Sequence, residues 1–251
     1  HGRRIGDTLS VDVVSYGIYA PATFMAEAVK IESQGLAFNL RYPGGKIAIS
    51  SRLTGLFNVY NCLAALACGW QLGIPPGELK VGLEGVRGVP GRFETVDLGQ
   101  DFAVIIDYAH TPDGLENVLQ AARALTRGRI ILVFGCGGDR DRSKRPIMGE
   151  IAARYGDFSI ITSDNPRGED PMAICRQVEE GVRRGSGEYL LEVDRRQAIN
   201  LAIDMAQPGD VVLVAGKGHE NYQIFKDRVI HFDDREEAAR ALRGRKRIGK
   251  A

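Results

Sequence analysis

Two stretches decide the fold of this chain: FSIITSDNPR at residues 158–167 and VVLVAGKGHE at residues 211–220. Each begins with an apolar run that is typical of a strand buried in a parallel sheet, and each continues into a loop rich in charged residues or glycine. Ligands of open α/β sheets bind at the carboxyl ends of such strands. The two loops therefore predict one cleft, in which Asp164, Arg167 and Glu220 face a small zwitterion that carries a carboxylate and an ammonium group.

The sequence around these stretches alternates between strand-like and helix-like patterns. Alternation of this kind predicts an α/β domain with a mostly parallel sheet and helices on both faces. The predicted strands are 93–98, 102–107, 129–134, 158–162, 188–192 and 210–214, and the predicted helices are 112–125, 144–155, 171–184, 194–206 and 233–243.

The first ninety residues have a different pattern. Alternating apolar and polar positions predict strands or hairpins over 8–16, 23–31 and 36–50, with turn residues at 42–45. Alanine and leucine at helical spacing predict a buried helix from Asn58 to Leu72, and a short helix is expected from Pro75 to about Gly85. The glycine- and proline-rich segment 85–91 is interpreted as a linker. We therefore expect two domains, 1–90 and 91–251.

Composition excludes several classes of protein. The chain has 251 residues and a formal net charge of +1, which argues against a general nucleic-acid binder. No apolar run approaches the roughly 20 residues that span a bilayer, so no membrane insertion is expected. Its four cysteines lack CxxC spacing, which indicates a reducing, cytoplasmic setting without a disulfide framework.

A third loop, DYAHTP at residues 107–112, also follows a predicted strand. Thr111 can cap a helix that begins with Pro112 at its first position. A capped junction alone does not require Asp107 and His110 at the end of an apolar strand. We therefore expect these two side chains to contribute to binding.

A fourth loop, FGCGGDRDRSKRP at residues 134–146, combines glycines with four cations. Its glycines allow a sharp turn and a close approach of the backbone to a ligand. The loop matches neither the Walker A pattern GxxxxGK[ST] nor GxGxxG. Arg140 lies nearest to the glycine turn and is predicted to contact the ligand, whereas Arg142 and Lys144 are interpreted as surface groups.

Taken together, these four loops resemble the C-terminal domain of the Mur ligase family, and GVPGRFE at 88–94 and GLFNVYN at 55–61 resemble further signatures of the same family. The resemblance covers nearly the whole chain. It implies a Rossmann-like C-terminal domain over 91–251, preceded by the last, incomplete part of a central ATPase domain in 1–90.

The resemblance also implies a reaction and its substrates. ATP would phosphorylate the glutamyl carboxylate of UDP-N-acetylmuramoyl-L-alanyl-D-glutamate, and an amine would then attack the acyl phosphate to form an amide. The Asp-Asn-Pro-Arg loop marks family members that take meso-diaminopimelate. Its residues Asp164, Asn165, Pro166 and Arg167 would bind this amino acid.

Further roles follow from the same resemblance. Arg140 and Arg167 would pair with the second carboxylate of diaminopimelate, while Glu220 and the Gly216 backbone would hold its distal ammonium. The ATP side would comprise Asn58, Arg92, Asp107 and His110.

Other family features are not found in these 251 residues. The Walker A loop, the carboxylated lysine and the Mg²⁺ ligands are expected in upstream sequence, so no catalytic or metal-binding residue is assigned here. The 251 residues alone are expected neither to hydrolyse ATP nor to form the amide.

Alternatives remain open at this stage. They are a stand-alone amino-acid-binding module, a lysine-adding ligase and a folylpolyglutamate synthase. A dehydrogenase is disfavoured because no GxGxxG follows a strand.

Overall fold

A computed structural model describes residues 6, 8–32 and 35–245 of the chain. The chain divides into two compact units, and the division lies between Gly88 and Val89, within the glycine-rich segment 85–91. The two units are described separately below.

The first unit is a small sheet with two helices. Its strands are β1 (Tyr16–Gly17), β2 (Phe24–Glu32), β3 (Gly35–Tyr42) and β4 (Gly45–Ser51), in the order β1-β2-β3-β4, and the helices are α1 (Leu56–Gln71) and α2 (Pro76–Glu84). β1 pairs parallel with β2, and the other pairs are antiparallel. Alternate residues of the strands, such as Phe24, Phe38 and Ile49, share one apolar core with Val59 and Leu63 of α1.

The strand predicted over 8–16 is wrong for all but its last residue, because only Tyr16 and Gly17 pair with β2. The alternating Val11 and Val13 suggested a buried face, yet their side chains are 67% and 49% exposed. Residues without a neighbouring strand cannot form a ladder, so the alternation in this segment has no packing partner. The predicted turn at 42–45 is present as the tight connection of the β3–β4 hairpin.

The second unit has the predicted alternating pattern. Its strands are β5 (Glu94–Thr95), β6 (Ala103–Asp107), β7 (Ile130–Phe134), β8 (Phe158–Ile161), β9 (Glu188–Leu191), β10 (Val211–Ala215), β11 (Tyr222–Ile224) and β12 (Val229–His231). Its helices are α3 (Pro112–Leu125), α4 (Lys144–Tyr155), α5 (Pro171–Val182), α6 (Arg195–Met205) and α7 (Asp234–Gly244). The prediction of an α/β fold with a mostly parallel sheet is confirmed.

Six of these strands form the main sheet in the order β5-β6-β10-β7-β8-β9. All its pairs are parallel except β5 with β6. One face, including Ile106, Val133 and Val214, packs against α6 and against Ala238 of α7. Helices α3, α4 and α5 contact the strands as well, and side chains alternate between the two faces of a strand.

Two features of this unit differ from the sequence prediction. The strand expected over 93–98 is shorter, with Glu94 and Thr95 as its two residues. One further backbone hydrogen bond, from Val96 N to the Val104 carbonyl at 2.9 Å, continues the pairing before Gly99, which has a φ of 86°. The short hairpin of β11 and β12 was not predicted. None of the helices in the described ranges combines the length and the apolar character that crossing a bilayer requires.

The order of the strands positions the candidate site. β10 lies between β6 and β7, and β8 follows next to β7, so the loops after these four strands leave the same edge of the sheet. The start of α3 follows the predicted capping scheme: the Thr111 hydroxyl accepts a hydrogen bond from Gly114 N at 3.2 Å, and Pro112 is the first helical residue.

Candidate ligand-binding site

The loops that follow the four adjacent strands contact one another directly. Gly216 N, after β10, donates to the carbonyl of Asp107 at the end of β6 over 3.0 Å. Gly138 N, after β7, donates to the carbonyl of Asn165 after β8 over 2.9 Å. The structure therefore brings the four sequence motifs to one edge of the sheet.

Three side chains link the loop after β8 to the loop after β10, and we call them the Lys217–Asn165–Glu220 bridge. Asn165 Nδ2 donates to Glu220 Oε2 at 2.9 Å, while Lys217 Nζ lies 3.2 Å from Asn165 Oδ1 and 3.5 Å from Glu220 Oε2. Asn165 is 1% exposed and Lys217 is fully buried. Both donors contact the same oxygen of Glu220, and no donor among the described residues bonds to Oε1. That oxygen can accept a hydrogen bond from a ligand.

Burial is the largest influence on the pKa of Lys217. It lowers the pKa of the ammonium, and the nearby carboxylates of Asp164 and Glu220 partly oppose this effect. The ammonium also lies 5.6 Å from the centre of the Tyr222 ring, within the range of a cation–π contact. The sequence assigns no role to Lys217, and the structure buries it completely.

Asp164 and Gly216 fit closely together. Asp164 is buried, and its Oδ1 accepts a hydrogen bond from Asn165 N at 2.6 Å. A Cβ at position 216 would lie 2.7 Å from Asp164 Oδ2, and Gly216 has a φ of 120°. Glycine is therefore required at 216 for both its conformation and its lack of a side chain.

Arg167 lies against the glycine loop. Its backbone has a φ of 51°, which is uncommon for a residue other than glycine, and its Nη1 donates to the carbonyl of Gly138 at 2.9 Å. A Cβ on Gly137 would lie 2.8 Å from Arg167 Nη1, and a Cβ on Gly138 would lie 1.9 Å from the Pro166 carbonyl oxygen. The glycines thus allow the two loops to pack closely.

A second ionic group, which we call the Arg145–Glu169 clamp, joins the same two loops. Arg145 is fully buried and forms two hydrogen bonds to Glu169, Nη1 to Oε2 at 3.0 Å and Nη2 to Oε1 at 2.9 Å. Asp139 N donates to Oε1 at 2.6 Å, and Arg142 Nη2 lies 3.2 Å from Oε2. The hydrogen bonds from Arg145 lower the pKa of Glu169 to about 2.

Behind the sheet edge, a buried ion pair supports the end of β10. Arg195 Nε and Nη2 each lie 2.8 Å from a carboxylate oxygen of Asp234, and both side chains are fully buried. Nη2 also donates to the Ala215 carbonyl at 3.0 Å, directly before Gly216. Sequence reasoning assigned no role to Arg145, Glu169, Arg195 and Asp234, since nothing local distinguishes a buried charged residue from its exposed charged neighbours.

The predicted ligand contact Arg140 is exposed and donates to the carbonyl of Asp139 at 3.0 Å. Its role remains a prediction. Arg142 is largely exposed, as expected for a surface group. Lys144 is only partly exposed, and its Nζ donates to the His110 carbonyl at 2.7 Å, which connects α4 to the loop after β6.

The residues assigned to the ATP side in the second unit gather around Tyr108. The guanidinium of Arg92 lies 4.7 Å from the centre of the Tyr108 ring, and the His110 ring centre lies 4.6 Å from it. Asp107 is buried, which raises its pKa, and it accepts hydrogen bonds from Phe93 N and Ala109 N, both at 2.8 Å.

Asn58 belongs to the first unit. It lies in α1, where its Nδ2 donates to the Thr54 carbonyl at 2.8 Å and its Oδ1 accepts from Asn61 at 3.0 Å. Within residues 6, 8–32 and 35–245, no group of three or more His, Cys, Asp or Glu side chains is arranged to hold a metal ion.

Two family models match the chain. The model described as Mur ligase, glutamate ligase domain, matches residues 91–218, and the Mur ligase middle domain matches residues 3–69.

Curated relatives and a solved structure are similar over most of the chain. The UDP-N-acetylmuramoyl-L-alanyl-D-glutamate--2,6-diaminopimelate ligase of Syntrophomonas wolfei subsp. wolfei is 56% identical over 92% of this chain and 47% of its own length. The ligase of the same name from Geobacillus thermodenitrificans is 51% identical over 93% of this chain and 48% of its own length. A solved structure with that name has a TM-score of 0.63 and 37% identity, covering 93% of this chain and 48% of the other.

A folylpolyglutamate synthase from Mycobacterium tuberculosis, solved with ADP and AMPPCP, has a TM-score of 0.64 at 20% identity. It covers 91% of this chain and 49% of its own, and it shares the fold alone. The chain spans about half the length of the curated relatives it matches.

Proposed function

The chain belongs to the Mur ligase family, and we propose that it forms the amino-acid-selecting part of a ligase that adds meso-diaminopimelate to UDP-N-acetylmuramoyl-L-alanyl-D-glutamate. ATP transfers its γ-phosphoryl group to the glutamyl carboxylate, which yields an acyl phosphate and ADP. An amine of diaminopimelate attacks the acyl carbon and loses a proton, and inorganic phosphate leaves as the amide forms. The names of the two curated relatives support this choice of substrates.

The observation that carries the proposal is the half-satisfied carboxylate of Glu220 beside the Asp164–Arg167 loop. Glu220 Oε2 is bonded within the Lys217–Asn165–Glu220 bridge, and Oε1 is left for a ligand ammonium. Arg167 is two residues from Asn165 and offers a planar fork that suits a carboxylate. These groups match the far end of diaminopimelate, which carries an ammonium and a carboxylate on one carbon.

Selectivity over lysine follows from the same arrangement. Lysine has no second carboxylate, so Arg167 and Arg140 would lack an anionic partner with lysine bound. A site whose polar groups are left unpaired rejects the smaller analogue strongly. Gly216 contributes through its backbone, which lies close to Asp164.

ATP is proposed as the activating substrate, with Arg92, Asp107 and His110 of the second unit on its side of the site. Asn58, in the first unit, is proposed separately as an ATP contact. The grouping of Arg92 and His110 around the Tyr108 ring supports this assignment for the second unit. Mg²⁺ is proposed as the accompanying cofactor, and no described residue is assigned to hold it. The unpaired thiols of Cys62, Cys68, Cys136 and Cys175 support a reducing, cytoplasmic setting.

Calorimetric titration of the chain with meso-diaminopimelate and with lysine tests the proposal. We expect measurable binding of diaminopimelate and no measurable binding of lysine. Equal binding of the two amino acids, or a preference for lysine, would contradict the proposed specificity.

Arg167→Ala provides the sharper test. Loss of a charge-assisted contact to the second carboxylate is expected to weaken diaminopimelate binding about 100-fold or more, while the melting temperature changes little. Arg154→Ala, a matched change at an exposed position of α4, should leave binding unchanged. Binding that survives Arg167→Ala at full strength would exclude Arg167 from the site.

A further inference from the structure

The unpredicted β11–β12 hairpin is bonded to the Asp164–Arg167 loop at three points, all from two consecutive residues of β11. Gln223 Nε2 donates to the Asp164 carbonyl at 2.8 Å. Ile224 N donates to Asn165 Oδ1 at 2.9 Å, and Arg167 N donates to the Ile224 carbonyl at 3.0 Å. A strand that follows the loop by more than fifty residues thus contacts nearly its whole length.

The loop needs such support because its backbone is not in a relaxed conformation. A φ of 51° at Arg167 is disfavoured by about 1–2 kcal/mol for a residue with a side chain. Conformations of this kind persist where the surrounding structure holds them. The Arg167 N–H bond to Ile224 acts directly at the strained residue, and the Gln223 bond fixes the start of the loop.

The burial of Gln223 is the second observation. β11 presents Tyr222 to solvent and turns Gln223 inward, where its side chain is only 4% exposed. Buried side-chain amides are nearly always hydrogen-bonded. The amide of Gln223 donates to the Asp164–Arg167 loop rather than to its own hairpin. A polar residue at this inward position therefore contributes to the shape of the loop.

We propose that Gln223 is a positioning residue that, through strand β11, holds the Asp164–Arg167 loop in the conformation that presents Arg167 to the second carboxylate of the amino acid. This role rests on the proposed function. Gln223 acts through Asp164 and Arg167 and makes no contact with the ligand itself. It therefore contributes to specificity for a dicarboxylic amino acid.

Gln223→Leu tests the proposal, since leucine preserves much of the volume and removes the donor to Asp164. We expect hydrogen exchange of the Arg167 amide to become about tenfold faster and diaminopimelate binding to become about tenfold weaker, the effect of losing one buried hydrogen bond. Lysine, which cannot use Arg167, serves as the ligand control. Lysine binding is expected to be too weak for calorimetry, so it is followed by NMR shifts at high lysine concentration, and these shifts are expected to be the same in both proteins. Gln197→Leu, the same change at an exposed position of α6, should alter none of these quantities.

The outcomes separate this role from a merely structural one and from the proposed function. Unchanged Arg167 exchange in Gln223→Leu, or faster exchange with unchanged diaminopimelate affinity, would overturn the positioning role. A changed lysine response together with a large fall in melting temperature would also overturn it, in favour of general destabilisation. If the unsubstituted chain fails to bind diaminopimelate, the proposed function fails, and the exchange measurement still decides whether Gln223 holds the loop.

Discussion

The Arg145–Glu169 clamp and the Lys217–Asn165–Glu220 bridge join neighbouring loops of the same site, yet their carboxylates are used differently. Oε1 of Glu169 accepts hydrogen bonds from Asp139 N and Arg145, and Oε2 accepts one from Arg145 and forms an ion pair with Arg142. Glu220 receives both of its donors on Oε2 alone. The first carboxylate is saturated by the protein and serves the scaffold, whereas the second retains an oxygen for a ligand.

The buried cations of the two groups, Arg145 and Lys217, differ in how firmly they hold their proton. Arginine keeps its proton at any pH that a protein experiences, so the buried Arg145 requires a permanent anionic partner. Lysine can release its proton when buried, and burial already lowers the pKa of Lys217.

Glu169→Gln is expected to have the largest effect, on stability. It leaves the guanidinium of Arg145 buried without a charge partner, which costs about 3 kcal/mol or more. Urea unfolding followed by circular dichroism measures the difference. Glu150→Gln, which removes an exposed partner of Arg184, should change the free energy of unfolding by less than about 0.5 kcal/mol.

The same variant has a defined pH dependence. The pKa of Glu169 is lowered from its ordinary 4.5 to about 2, so its ionised form stabilises the folded state above pH 4.5. That contribution is lost as the pH falls from 4.5 towards 2. The stability difference between the unsubstituted chain and Glu169→Gln should therefore shrink over this window, and a constant difference would contradict the clamp.

Glu220→Gln should affect binding more than stability. Replacement of the carboxylate by an amide removes the charge that the ligand ammonium would contact, and we expect diaminopimelate to bind about 100-fold more weakly in calorimetry. The free energy of unfolding should change by less than about 1 kcal/mol, because Lys217 keeps its bond to Asn165 Oδ1 and the nearby carboxylate of Asp164. Glu180→Gln, at an exposed position of α5, is the matched control. A stability loss as large as that of Glu169→Gln would remove the distinction between the two groups.

The two adjacent glycines offer a smaller test of the same distinction. In Gly138→Ala the new Cβ would meet the Pro166 carbonyl, which belongs to the backbone, and we expect a loss of about 2 kcal/mol in stability. In Gly137→Ala it would meet only the end of the Arg167 side chain, which can move. That variant should lose about 1 kcal/mol or less and bind diaminopimelate about fivefold more weakly. Thermal unfolding and calorimetry on both variants check the contrast.

The sequence was sufficient to predict the alternating strands and helices of the second unit, because runs such as Val211–Val214 and caps such as Thr111 are local signals. The hairpin of β11 and β12 was missed because each strand has only three residues. The strand prediction for residues 8–15 was wrong for the opposite reason. The alternating pattern is present there, but these residues have no neighbouring strand to pair with.

The candidate site was predictable to the level of its loops but not of its internal bonds. Asp107, Asp164 and the loop glycines could be predicted as site residues, because the sequence shows that each follows an apolar run that forms a strand. Arg145 and Glu169 are 24 residues apart, and Gln223 lies 59 residues from Asp164. Such pairings depend on which strands are neighbours, and no local pattern encodes that order.

The central position of β10 has a consequence for how the site forms. β10 is the last of the parallel strands to be synthesised, yet it inserts between β6 and β7 and separates them completely. Until residues 211–215 leave the ribosome, β6 and β7 each carry an unsatisfied inner edge, and the loops that follow them have no shared neighbour. The edge of the sheet that carries the site therefore forms in one late step, when β10 inserts between β6 and β7. Until then, the unpaired edges of the nascent chain can pair with a wrong strand.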